Sequence, residues 1–315
     1  MQVVKRKSET PSWTFAYASD MHVGSPRSYR FQPAWNENWN TARDQIIAMS
    51  PDFLIVGGDM TRDGSTHREE LTSFRRELEG LPFPAHVIPG NHEVGNKPLA
   101  SDTGSVSTRF IDQYESVFGP SNWSFVYKNV RFTGINAFLL GSGLAEERVL
   151  RTWIEDLDAD ADTDHHVWLL HPAPFADAWT DAAFDPESDR TAWYFTLDPE
   201  DRDFLMQHFQ RTGTTHVVSG HIHCHRQVHY DGIQFIFAPS TAFAQWADRW
   251  KDGDPTLGFL RADVFPDRIN FDVVPLERTS DLAGYGPGGN PRIEGRDYSA
   301  AQEEPPFAPS FREDE

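Results

Sequence analysis

Trp13-Thr14-Phe15-Ala16-Tyr17-Ala18-Ser19-Asp20-Met21-His22 is the stretch that decides the fold. Its first six residues are β-branched, aromatic or small and apolar, which is what a short buried strand is made of. The run then gives way to Asp20 and His22, side chains that bind metals and move protons. The same event recurs along the chain. Residues 53–56 lead into Gly57-Gly58-Asp59, and residues 86–88 into Pro89-Gly90-Asn91-His92-Glu93. Residues 167–170 lead into His171-Pro172, and residues 216–218 into Ser219-Gly220-His221-Ile222-His223. In open α/β sheets the carboxyl ends of the strands converge on one crevice, so side chains distant in sequence meet there. Asp20 and His22 stand two apart, as do His221 and His223; on an extended backbone each pair points to one side. Taken singly, Gly90-Asn91 reads as a turn, Asp59 as a cap and His171 as a core histidine. The recurrence of ligand residues at one strand end after another is what argues for metal chemistry.

Working outward, residues 34–49, 68–78, 106–118, 146–157 and 199–209 carry helical patterns. The first places Trp35, Trp39, Ala42, Ile46 and Met49 at spacings of three and four, one apolar stripe, and stops before Pro51. Asp198-Pro199 reads as an N-cap followed by a proline at the first helical position. Further strand-like runs cover residues 124–127, 130–136, 233–237, 257–264 and 268–274, with Tyr230-Asp231-Gly232 marking a hairpin. The first half reads β-α-β-α-β and the last third as antiparallel strands. The pattern implies a layered α/β fold, with helices outside a core of mixed β-sheet. The expected organisation is an N-terminal extension over 1–12, one domain over 13–277, and a Gly/Pro-rich acidic tail or arm over 278–315.

Composition narrows the function. With 28 basic and 48 acidic residues the formal net charge is −20, a field that repels nucleic-acid backbones and anionic membranes. No long nucleic acid and no membrane partner is expected. The single cysteine, Cys224, excludes an internal disulfide framework and a Cys-rich zinc site. The basic N-terminus lacks the apolar core of a secretory signal, so cytoplasmic residence is the expectation.

In order, the blocks Asp20-x-His22, Gly58-Asp59, Gly90-Asn91-His92-Glu93, His171 and Gly220-His221-x-His223 resemble those of the calcineurin-like metallophosphoesterase superfamily. The resemblance runs over residues 20–223 and through the following strands to about 277. Within the superfamily it is most similar to the branch of class III cyclic-nucleotide phosphodiesterases and related small phosphatases. It implies an α/β fold, a layered αββα sandwich of mixed β-sheets flanked by helices with a binuclear metal site at the strand C-terminal ends. It also implies two transition-metal ions, Mn, Fe or Zn, among which oxygen and imidazole ligands do not choose. One ion would be held by Asp20, His22, Asp59 and His223, the other by Asp59, Asn91, His171 and His221, with Asp59 bridging. It implies in-line attack on phosphorus by a metal-bridging hydroxide, with Asp59 and His92 as the catalytic pair; His92 would stabilise charge and protonate the leaving oxygen. Asn91 and His92 would also touch the phosphate. Many relatives carry an acid three residues after the bridging aspartate, where it orients the histidine. Here that position is Arg62. Asp63 or Glu93 would then take the orienting role, or Arg62 would contact substrate.

Two segments are placed to shape a substrate site. Residues 24–33 carry Arg27, Tyr29, Arg30 and Phe31, and the insert 173–197 carries Trp179, Phe184, Trp193, Tyr194 and Phe195 among five acids. An acidic, aromatic insert over the metals disfavours a dianion and could stack a planar substituent, so Trp193 and Tyr194 are candidate substrate contacts. The expected activity is hydrolysis of a small phosphodiester or organophosphate. The alternatives are a phosphomonoesterase, including a protein phosphatase, and a non-catalytic scaffold.

Overall fold

The computed structural model describes residues 11–98, 104–177, 190–245 and 248–284. In chain order the elements are β1 (Trp13–Ala18), α1 (Pro33–Met49), β2 (Leu54–Val56), α2 (Arg68–Glu79), β3 (Ala85–Val87), α3 (Asn91–Val94), α4 (Thr108–Phe118), β4 (Trp123–Tyr127) and β5 (Val130–Gly134). After a 3₁₀ turn at Ala137–Leu139 come α5 (Ala145–Glu155), β6 (His165–Leu170), α6 (Arg190–Phe195), α7 (Pro199–Arg211), β7 (His216–Ser219), β8 (Arg226–Tyr230), β9 (Ile233–Phe237), β10 (Gly258–Val264) and β11 (Ile269–Pro275). One sheet has the order β11-β10-β1-β2-β3, the other β4-β5-β6-β7-β9-β8. Both are mixed. β1, β2 and β3 run parallel, and so do β5, β6, β7 and β9, with antiparallel strands at the margins.

Strand alternation builds the layers. Phe15 and Tyr17 of β1 face Phe53, Phe132, Val167 and Leu169 in a core between the two sheets. Ala16 and Ala18 face outward, under Trp39, Ala42 and Ile46 of α1. Small residues on that face let the helix sit close. Trp39 and Ile46 are fully buried there; truncating a buried isoleucine of this kind costs about 2–5 kcal/mol. The result is the expected αββα sandwich. α1 opens with Pro33 and closes on Ser50, whose left-handed backbone (φ 52°) returns its N–H to the Ile46 and Ile47 carbonyls before Pro51.

Several expectations need amendment. Trp35 does not continue the buried stripe of α1; it lies half-buried at the helix start and faces a cavity. Asp198 precedes α7 as expected, yet it makes no side-chain cap, because its carboxylate is taken by Lys97 at 2.6 Å. The hairpin at Tyr230-Asp231-Gly232 joins β8 to β9 as expected, although the extent of β8 was not foreseen, nor were α3 and α6. Residues 278–284 run beside α1, where the Ser280 amide donates to Asn38 Oδ1 at 2.7 Å; the remainder of the expected tail, like residues 1–10 of the extension, lies outside the described residues. Among the described residues no helix is long and apolar enough to cross a membrane.

Candidate metal centre

Parallel strands in both sheets point their C-terminal ends the same way, and the two sheets meet there. Ser19, just past β1, bridges to Ser240, just past β9, and the Ser240 hydroxyl donates to the Asp20 carbonyl at 2.7 Å. At this seam the five ligand-bearing strand ends converge. Ligand atoms of Asp20, His22, Asp59 and His223 lie within 4.8 Å of one another, as do those of Asp20, Asp59, His171 and His221. The carboxylates of Asp20 and Asp59 belong to both groups.

The local backbone differs from the extended one inferred from spacing. Asp20, His22, Asp59, His221 and His223 all have positive φ, between 47° and 75°. This left-handed region is sparsely used by residues with a side chain and is retained where the surroundings enforce it. Here the Asp20 carboxylate accepts the His221 amide at 3.0 and 3.1 Å, and Asp59 Oδ1 accepts the His92 amide at 3.1 Å. Close backbone approach completes the packing. A Cβ on Gly90 would lie 2.1 Å from Asp59 Oδ1 and 2.3 Å from its amide nitrogen, and one on Gly220 would lie 2.0 Å from Ser19 Oγ.

The donor set fits two metal ions. His22 Nε2 and His223 Nε2 face each other at 3.3 Å, and His223 Nε2 lies 3.1 Å from Asp20 Oδ1. On the other side His171 Nε2 is 3.2 Å and His221 Nδ1 3.6 Å from Asp59 Oδ2. Asn91 turns its carbonyl oxygen toward Asp59 Oδ2 (3.1 Å), Asp59 Oδ1 (3.2 Å) and His221 Nδ1 (3.2 Å). That is an acceptor among acceptors, which a cation at the centre reconciles. Outer carbonyls set the imidazole tautomers: His171 Nδ1 donates to Gly57 O at 2.9 Å and His223 Nδ1 to Phe243 O at 3.0 Å, leaving both Nε2 atoms aimed inward. Without metal, burial opposes charge on His171, but Asp59 and Asp20 outweigh it and raise the imidazole to about 9. Burial would likewise raise Asp59, and His171 and His92 hold it well below the usual carboxylate range instead.

His92 lies beside the cluster without joining either group. Its Nδ1 donates to the Arg62 carbonyl at 2.5 Å, so neither candidate acid orients it. Asp63 accepts the Tyr29 amide, and Glu93 accepts the Thr61 amide (2.9 Å), the Thr61 hydroxyl (2.7 Å) and the Gly90 amide (2.8 Å). Burial, with Arg62 adding to it against the pull of Asp59, brings His92 down to about 4.

A cavity of about 480 Å³ opens over the cluster, lined by His22, Asp59, Asn91, His92, His221 and His223. One wall is Tyr194 and Phe195, whose rings lie 5.4 and 4.6 Å from that of His221. The opposite wall holds Tyr29, Arg30, Gln32, Trp35, Arg62, Phe243 and Gln245. Trp35 and Phe243 stack at 4.8 Å, and the Arg62 guanidinium lies 5.7 Å from Trp35 and 5.8 Å from Tyr29. Trp193 is placed elsewhere: its ring lies 4.6 Å from Lys97 Nζ, and it is not among the residues lining the cavity. Lys97, buried, ties this segment down through the carbonyls of Trp193 (3.0 Å) and Thr196 (2.9 Å). Trp179 and Phe184 lie outside the described residues. Cys224 is buried and burial pushes its thiol up to about 11, which suits a packing role.

Sequence reasoning missed Phe243 and Gln245. The available signal was the loop after β9: this strand runs parallel to β7, so its C-terminal loop must open onto the same crevice.

Comparison with known proteins agrees with this geometry. The chain is 25% identical over 255 residues to serine/threonine-protein phosphatase CPPED1 of Danio rerio, covering 73% of this chain and 77% of that protein. It is 30% identical over 128 residues to a probable glycerophosphodiester phosphodiesterase GpdQ of Arcobacter nitrofigilis, covering 39% of this chain and 42% of that one. The crystal structure of a dimetal phosphatase from Danio rerio shares the fold, with a TM-score of 0.55 at 15% identity, over 87% of this chain and 99% of that one. Residues 14–225 match the family described as calcineurin-like phosphoesterase. With that match spanning more than half of its length, and with paired Asp/His clusters at the seam of its two sheets, this chain belongs to the calcineurin-like phosphoesterase family and carries its metal-dependent hydrolase site.

Proposed function

We propose that the chain hydrolyses small phosphomonoesters, and that the observation carrying this reading is the pair of arginines, Arg30 and Arg62, in the wall of the cavity. The diester expectation rested on the acids of the 173–197 insert. Of those five acids Asp177 alone is among the described residues, and it is turned away from the cavity, bonded to Arg249 Nε at 2.9 Å and Trp250 Nε1 at 2.7 Å; Asp181, Asp185, Glu187 and Asp189 lie outside the described residues. A dianion needs more positive charge than a monoanion, and guanidinium matches phosphate through a bidentate fork. The name of the Danio rerio relative, a protein phosphatase, supports the same side.

In this reading Asp20, His22, Asp59 and His223 hold one ion and Asp59, Asn91, His171 and His221 the other; when bound, the pair supplies an activated water and neutralises phosphoryl oxygens. The chain's own residues do the rest. Arg62, fixed by its Nε bond to the Tyr29 carbonyl at 2.9 Å, takes the outward phosphate oxygens. His92, with Nδ1 committed to the Arg62 carbonyl, presents only Nε2 and passes a proton to the leaving oxygen. Tyr194, whose hydroxyl lies 3.4 Å from Asn91 Nδ2, closes the opposite side against bulk water.

The experiment compares kcat/KM for nitrophenyl phosphate and bis(nitrophenyl) phosphate on protein loaded with Mn, Fe or Zn, with and without Arg62→Ala. The monoester should be preferred, and the substitution should cost it about 10–100-fold, the worth of one charge-assisted bond, while the diester loses less. A diester preference untouched by Arg62→Ala would return the chain to the phosphodiesterase side, which the Tyr194–Phe195 wall can also accommodate.

A further inference from the structure

Away from the metal cluster the chain buries a second group of ionisable side chains. Asp63 and Glu70 are 1% and 6% exposed, and their carboxylate oxygens cluster with a His67 ring nitrogen within 4.8 Å. Burying two neighbouring carboxyls is unfavourable unless hydrogen bonds use them, and both are used. Glu70, on α2, accepts the Ser28 hydroxyl at 2.5 Å and the Asp63 amide at 2.7 Å. Asp63 accepts the Tyr29 amide at 2.5 Å. Ser28 and Tyr29 belong to the loop that brings Tyr29, Arg30 and Gln32 to the cavity. Immediately before Asp63 stands Arg62, which reaches back to the Tyr29 carbonyl and holds His92 through its own carbonyl. The carboxyl pair therefore holds both the loop that carries Tyr29 and Arg30 and the segment that carries Arg62.

We infer that Asp63 and Glu70 are positioning residues: a buried carboxyl pair holding one proton, which fixes Tyr29, Arg30 and Arg62 against the substrate, so that loss of the proton loosens this wall and raises KM. The inference deepens the phosphoester reading and rests on it for its kinetic arm alone. Among the described residues few charges face the pair. Arg62 lies beside both, His67 Nδ1 is 3.9 Å from Glu70 Oε1, and Arg27, at the loop's rim, is paired with Glu69 at 2.5 Å. These do not balance two carboxylates. Burial, then the charge of Asp63, pushes Glu70 up to about 8, and burial pushes Asp63 up to about 6. At neutral pH the pair thus keeps one proton. Once that proton is lost, two negative charges face each other beneath the loop.

The test uses metal-loaded full chain and compares wild type, Glu70→Gln and Glu70→Ala from pH 6.5 to 9.5. KM for nitrophenyl phosphate is one readout, and amide hydrogen exchange of peptides covering residues 24–32, corrected for intrinsic rate, is the other. An amide imitates the neutral carboxyl and does not ionise. Wild-type KM and loop exchange should rise with pH, up to about tenfold per unit beyond the pKa. Glu70→Gln should flatten both rises, and Glu70→Ala should show high KM and fast exchange throughout. Superimposable pH profiles for wild type and Glu70→Gln would overturn the inference, as would wild-type KM and exchange in Glu70→Ala. If no protein turns over phosphoester, the exchange arm still decides the role of the pair, so the two failures are distinct.

Discussion

His92→Ala separates what the metals do from what the chain does. The ring of His92 belongs to neither ligand group, so the variant should keep its full metal complement by elemental analysis. Its rate should fall about 10²–10⁴-fold, the usual worth of a positioned proton donor. The structure sharpens this in two ways. Because Nδ1 is committed to a carbonyl, Nε2 is the one ring atom that can serve a leaving oxygen, and the loss should grow with leaving-group pKa: smallest for nitrophenolate, largest for an alkoxide. Because burial holds His92 below the usual imidazole range, its imidazolium is a minor form at pH 7. The histidine is charged below its pKa and neutral above, so the advantage of wild type over the variant should shrink as pH rises from 5 to 8. The assay is kcat/KM for a series of phenyl and alkyl phosphates at several pH values. A loss equal across leaving groups and pH would refute the argument and leave His92 as a neutral phosphate-positioning group.

Two further outcomes follow from the same geometry. Asp59→Asn should lower occupancy of both metal sites and abolish most turnover, since Asp59 belongs to both groups; two full metal equivalents with normal turnover would contradict the shared role. His166 sits in β6 between the Thr133 hydroxyl (2.8 Å) and the Thr212 carbonyl (3.2 Å), and burial lowers it to about 4; the unfolded chain therefore takes up the proton first, and metal-free protein should lose about 2–3 kcal/mol through this residue between pH 7 and 4.5. Guanidinium denaturation of wild type and His166→Gln at the two pH values measures it, and an equal acid loss in both would count against it.

What the sequence made legible, and what it hid, divides along physical lines. Strands such as β1 and β9 stand out because both faces are largely buried and their runs are mostly apolar, broken only by Thr14 in the first and Gln234 in the second. β8 was missed because it is an edge strand, and Arg226-Gln227-Val228-His229-Tyr230 presents polar side chains along it. The single turn of α3, at Asn91–Val94, is too short to show a period. The convergence of ligand residues was readable from strand ends, but the local geometry was not. Spacing of two suggested extended pairs, whereas left-handed residues alternate through the site; Asp and His tolerate that region better than most, yet nothing in their order announces it. Trp35 was hidden by its own regularity. It falls on the apolar stripe, but α1 begins beside the C-terminal end of β1, so the first turn of that stripe overhangs the crevice.

The histidine's orientation shows how backbone can replace a side chain. An acid at position 62 would orient His92 and also stabilise its charged form; the Arg62 carbonyl does the first and not the second. That arrangement frees the side chain at 62 to face the cavity, where its guanidinium lies against Tyr29 and Trp35. It also makes the histidine's position depend on the conformation of the 62–63 backbone, and so on the groups that hold it. Those groups are the Tyr29 carbonyl at the Arg62 side chain and the Glu70 carboxyl at the Asp63 amide. A network that fixes proton donor and phosphate-binding cation through one peptide segment couples binding to catalysis. Changes in the buried carboxyls should therefore move KM first and kcat with it.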